Sequence, residues 1–143
     1  MTLSLRICRR SLLANAALLI LVALVIGGSV IPAVKTDAFP LATPERAVPA
    51  FWINAGLNVL AGTALVFIAM RSKGRSAPST TVLSVVAFVC FLLGAALVDA
   101  AYAFSKHGPG LQTATMLLFI CSAADILAAI LVLITALLRP RQT

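Results

Sequence analysis

The run Thr113–Leu138, TATMLLFICSAADILAAILVLITALL, is apolar around its whole circumference and carries one ionisable residue, Asp125, near its middle. A helix of about 20 apolar residues matches the roughly 30 Å of hydrocarbon in a bilayer. A helix in a water-soluble core needs only an apolar stripe. Three more stretches of this kind precede it, so spans are expected at 11–34, 51–70, 82–104 and 113–138. The chain as a whole is 62% hydrophobic and 10% charged, far from the balance of a soluble domain. At 143 residues it has the length of one compact unit. The expected fold is all-α, a four-helix transmembrane bundle forming a single integral membrane domain over 1–143.

Met1–Arg10 is a short basic head, and Ser11–Val34 follows it without a charge. That run is longer than the h-region of a signal peptide and closes at Pro32 and Lys35 without an A-x-A site, so a retained span is expected. Lys35–Ala50 reads as a loop, because Pro40, Pro44 and Pro49 oppose a long helix. Arg71–Thr81 is a polar loop without an acid, and Ser105–Gly110, SKHGPG, is a tight turn.

Orientation follows from the eleven basic residues. With both termini cytoplasmic, Arg6, Arg9, Arg10, Arg71, Lys73, Arg75, Arg139 and Arg141 lie inside, and only Lys35, Arg46 and Lys106 outside. This is a positive-inside distribution. Phe51, Trp52, Tyr102 and Phe104 then meet at the outer interface as an aromatic belt. Basic residues scattered between apolar spans do not form a phosphate-tracking patch, so nucleic-acid binding is not expected.

Close helix contact is expected at small residues, here Ala23, Gly27, Gly62, Gly94, Ala124 and Ala128. Asn54, Asn58 and Gly62 are spaced by four and share a stripe expected to face protein, because an unpaired amide in lipid costs several kcal/mol; Asn54, within about two turns of the outer end, has water as its alternative. Asp125 lies about 18 Å below the outer edge of its span. An ionised carboxylate is costly there, so the protonated form is expected while it stays buried. Cys121, Ser122, Ala128 and Ala129 surround it at spacings of three and four, and Thr63 has a similar depth as a hydrogen-bond partner. Asp125 is a tie between helices, a contact to a partner protein, or a proton or cation site. Asp99, near the outer end of its span, accepts from Asn54 and Asn58 or sits at the interface beside Lys106 and His107.

The sequence offers no catalytic, cofactor-binding or metal-binding constellation. Cys8, Cys90 and Cys121 have no ligand spacing with one another or with His107, the single histidine. Cys90 and Cys121 read as small apolar residues, and Cys8, among the arginines, as a candidate for palmitoylation. No Gly-rich phosphate loop follows a strand. The first span lacks the carboxylate of small four-span drug exporters, and no CxxC of a four-span quinone reductase is present.

Leu5-Arg6-Ile7 before the first span, Phe91 with Gly94 and Ala95 in the third, and Cys121 with Ala123 and Ala124 in the fourth carry a resemblance. On these residues and its topology the chain resembles small fungal MARVEL-type four-span membrane proteins. Neither outer loop has the cysteines that many of them carry. The resemblance implies a non-enzymatic role in membrane organisation or trafficking and implies no catalytic residue.

Three functions are therefore open: a scaffold, trafficking factor or accessory subunit acting through lateral helix contacts; a small transporter or channel component using Asp125; or an accessory enzyme acting on a lipophilic metabolite, with Asn54, Asn58, Asp99 and His107 as its polar groups. The expected partners are the lipid bilayer and, laterally, a second copy or other membrane proteins. Plasma membrane and endomembrane are equally compatible with the span lengths.

Overall fold

The computed structural model describes residues 3–32, 44–71, 79–106 and 112–138. It contains four long helices: α1 (Leu3–Val25, prolonged by a π turn at Ile26–Val30), α2 (Pro44–Arg71), α3 (Thr80–Ser105) and α4 (Gln112–Leu138). No strand occurs among the described residues. With no water in the hydrocarbon to satisfy peptide groups, a continuous helix is the form that keeps each N–H and C=O bonded.

The helix ends differ from the sequence expectation in two places. Helix α1 begins at Leu3, so Arg6, Arg9 and Arg10 are on its first turns. Helix α2 begins at Pro44, inside the stretch read as a loop, and contains Pro49. The reason is positional. Proline at the first helical position gives up an N–H that has no intrahelical acceptor anyway. Pro49, little more than a turn later, forfeits one bond to the carbonyl of Glu45 without ending the helix. Pro40, Lys35 and His107 lie outside the described residues.

The π turn also has a proline behind it. Pro32 has no N–H to donate, and its ring crowds the carbonyl four residues back, that of Gly28. The preceding backbone widens: Ile31 N–H donates to Ile26 O, five residues back. The Trp52 ring covers this segment, 3.6 Å from where a Cβ on Gly27 would stand.

Helices α3 and α4 make the most extensive contact, followed by α1 with α2 and α1 with α4; α2 and α3 touch over a smaller area. The order around the bundle is thus α1, α2, α3, α4, with α2 and α4 diagonal. Successive helices run antiparallel, and Ser11 Oγ meets Thr135 Oγ1 at 3.0 Å, so the start of α1 and the end of α4 share one end of the bundle.

The apolar core is in two parts. One, toward that shared end, includes Leu12, Leu19, Leu65, Leu83, Cys90 and Val132. The other, toward the opposite end, includes Val22, Ile26, Phe51, Leu97, Phe104 and Leu118. Large apolar residues on the outer faces, among them Leu24, Leu60, Phe67, Phe88, Ile120 and Leu137, are exposed. In a soluble protein such a surface would aggregate; in lipid it is the solvated surface.

The expected aromatic belt is corrected. Phe51 and Phe104 are buried and stack on each other, ring centroids 5.9 Å apart. Only Trp52 and Tyr102 are exposed. Phenylalanine has no polar edge to hold it at an interface, whereas tryptophan and tyrosine do. Tyr102 also accepts Lys106, whose Nζ lies 4.4 Å from its ring centroid.

Candidate functional site

Between the two apolar parts lies a polar layer made of Asn54 and Asn58 from α2, and Ser122 and Asp125 from α4, all buried. Helix periodicity puts each pair on one stripe: Asn54 and Asn58 are four apart, Ser122 and Asp125 three apart. Helix α3 supplies backbone carbonyls. Asn54 Nδ2 donates to Leu93 O at 3.3 Å. Ser122 Oγ donates to Gly94 O at 2.8 Å. Gly94 makes this approach possible, since a Cβ there would stand 2.7 Å from Ile126 Cγ1 and 3.2 Å from the carbonyl oxygen of Ser122.

Asn58 and Asp125 close the layer across the diagonal. Asn58 Nδ2 lies 2.9 Å from Asn54 Oδ1, 3.1 Å from Asn54 O and 3.4 Å from Asp125 Oδ2. Two amide hydrogens serve three acceptors, and the bond to Asp125 is the longest and weakest. Asn58 Oδ1 and Asp125 Oδ1 have no hydrogen-bond partner among the described residues. Both residues have 0% exposure. A proton on Asp125 turns one of these acceptors into a donor and removes a buried negative charge, so the neutral acid suits this layer better than the carboxylate.

The structure gathers Asn54, Asn58 and Asp125, and leaves out Thr63, a candidate partner of Asp125, and Asp99, for which a bond to the two amides was one of two expectations. Thr63 is exposed on α2. Its depth matches Asp125, but it is five residues from Asn58, which rotates it off the inner stripe. Asp99 is likewise exposed. The buried line of α3 runs through Leu93, Gly94, Leu97 and Ala101, and Asn54 bonds a carbonyl on that line instead. Of the small residues, Ala23, Gly62, Gly94 and Ala128 are buried, while Gly27 and Ala124 are half-buried. A Cβ on Gly62 would stand 3.1 Å from Ala16 O, so α1 and α2 cross there with their backbones close.

Sequence reasoning missed a second polar contact. Asn15 is buried in α1 and donates to Ser11 O at 3.0 Å. Ser11 in turn meets Thr135, which donates to Leu131 O at 2.8 Å. A search of the first span for amides and hydroxyls, not only for charges, would have found it. All three cysteines are buried, Cys8 included. Among the described residues no group of three or more His, Cys, Asp or Glu is placed to hold a metal ion.

Fold and site together define a helical multi-pass membrane protein: four helices, over Arg6–Val30, Val48–Arg71, Thr80–Ser105 and Gln112–Leu138, are long and apolar enough to cross a bilayer. No family model matches the chain, and no curated protein or solved structure is significantly similar to it.

Proposed function

We propose that the protein is a non-enzymatic membrane scaffold, trafficking factor or accessory subunit that works through lateral helix contacts, with both termini on the cytoplasmic side. One observation supports this reading above others: Asn54, Asn58, Ser122 and Asp125 turn inward and bond one another or the α3 backbone, at 7% exposure or less. Groups held in this way tie helices together and offer no surface to a substrate. The apolar outside of the helices is the surface offered for lateral helix contact. The MARVEL-type resemblance belongs to the same reading. The test is crosslinking and native mass spectrometry of the full chain from mild detergent and from nanodiscs. A homo-oligomer or a stoichiometric membrane-protein partner supports the reading, and a strictly monomeric, partner-free protein refutes it.

A second reading, a proton or cation site at Asp125, is favoured by the two unbonded oxygens, Asn58 Oδ1 and Asp125 Oδ1. It predicts ion or proton flux in proteoliposomes that Asp125→Asn abolishes. Equal flux for the two proteins removes it.

A further inference from the structure

The first turns of α1 present three arginines around a hollow of about 440 Å³ lined by Arg6, Arg9, Arg10 and Leu13. Arg6 and Arg10 are exposed and Arg9 is half-buried. The Nε of Arg9 is buried and has no hydrogen-bond partner among the described residues. A buried guanidinium donor without an acceptor is costly. The same turns hold no acidic residue, and the N-terminal end of a helix is itself partly positive. All these features call for an anion.

The described residues offer none there. The chain contains four acidic residues. Among the described residues, Asp99 stands near the end of α3, at the opposite end of the bundle. Asp125 is sealed in the central layer. No carboxylate side chain among the described residues stands at this end of the bundle, which leaves the hollow open to an anion from outside. Helix α1 enters its apolar run immediately after Arg10, and Leu13 is packed against the core. The hollow therefore has guanidinium groups at its rim and hydrocarbon below, the level at which a lipid phosphate sits over its acyl chains.

We propose that the hollow formed by Arg6, Arg9, Arg10 and Leu13 binds the phosphate of an anionic phospholipid headgroup through the guanidinium groups that line it. A guanidinium meets phosphate oxygens through two parallel N–H donors, which an ammonium cannot copy. Free phosphate shares this chemistry but has no acyl chains to hold it over Leu13.

The experiment uses the full chain in nanodiscs of phosphatidylcholine with and without phosphatidylglycerol, followed by native mass spectrometry of retained lipid and titration with inorganic phosphate. Wild type is expected to retain phosphatidylglycerol over phosphatidylcholine. Arg9→Gln is expected to weaken retention about fivefold, the factor that one basic residue supplies at an anionic surface. Arg9→Lys keeps the charge and removes the guanidinium, and is expected to recover less than half of that loss. The triple variant Arg71→Gln, Lys73→Gln, Arg75→Gln removes three charges from a different segment of the chain and is expected to keep the bound lipid. Equal loss from Arg6→Gln, Arg9→Gln, Arg10→Gln and from that control overturns the proposal, as does displacement of the lipid by stoichiometric inorganic phosphate. Far-ultraviolet circular dichroism on each variant separates lost binding from lost fold, and the single Arg9 variants carry the test if the triple variant does not fold.

Discussion

Gly94 and Gly56 offer a matched pair in which backbone preference is the same and space is not. A Cβ at Gly56 meets nothing within 4 Å. A Cβ at Gly94 stands 2.7 Å from Ile126 Cγ1, 3.2 Å from Ser122 O and 3.3 Å from Asp125 Cβ. Each Gly→Ala change gains about 1 kcal/mol of helix preference. At Gly94 this is offset by overpacking of about 1–3 kcal/mol. Ile126 Cγ1 moves only by turning a χ1 that is stiff in a helix, the Ser122 carbonyl moves only with the α4 backbone, and moving that carbonyl stretches the bond from Ser122 Oγ to Gly94 O. Gly56→Ala should therefore be about 1 kcal/mol more stable than wild type, and Gly94→Ala unchanged to about 2 kcal/mol less stable. The assay is reversible unfolding in mixed micelles titrated with sodium dodecyl sulfate, followed by circular dichroism and by the single tryptophan, Trp52. Equal stabilisation of the two variants would refute the close α3–α4 approach, and with it the geometry of the polar layer.

A double-mutant cycle on Asn58→Ala and Asp125→Ala should give a coupling of about 0.6 kcal/mol, and no more than about 1.7 kcal/mol, the range for hydrogen bonds between membrane helices; zero coupling would mean that the 3.4 Å contact contributes nothing. Thr63→Val should change stability by less than about 0.5 kcal/mol because the residue is exposed, whereas Ser122→Ala loses its bond to Gly94 O and should cost about 1 kcal/mol; the same unfolding assay reads both. Cysteines introduced at Gly74 and Gly108 in a background lacking Cys8, Cys90 and Cys121 should be labelled from opposite faces of sealed, oriented vesicles, Gly74→Cys from the side of the basic end. Labelling from one face would overturn the four-span topology.

What could be read from the sequence was set by how far each signal depends on its surroundings. Four helices follow from continuous apolarity, because lipid leaves a chain no other way to satisfy its peptide groups. The Asn54–Asn58 stripe was also visible, since spacing by four is a property of one helix alone. Thr63 was misplaced because depth counts residues along an axis, while contact depends on rotation about it. The burial of Phe51 and Phe104 depends on α2 and α3 meeting at one end, which neither span announces by itself. Pro44 and Pro49 were given too much weight: at the first helical position Pro44 gives up no intrahelical bond, and Pro49, in the second turn, costs one bond without ending the helix. The partner of Asp125 required knowledge of which helices stand diagonally, and no local pattern carries that.

The two-part core divided by Asn54, Asn58, Ser122 and Asp125 has a consequence for assembly in the membrane. Leucine and alanine faces are tolerant of slippage, since one greasy turn resembles the next. The side-chain bonds across this layer join α2, α3 and α4, and no α1 residue shares them. Those three helices are pinned like teeth at one height, and a displacement of a single turn would strand an amide or an acid in oil. Helix α1 has its cross-link to α4 at the far rim, through Ser11 and Thr135. Its register against α2 is set by packing instead, at the close crossing of Gly62 with Ala16 and Ile20.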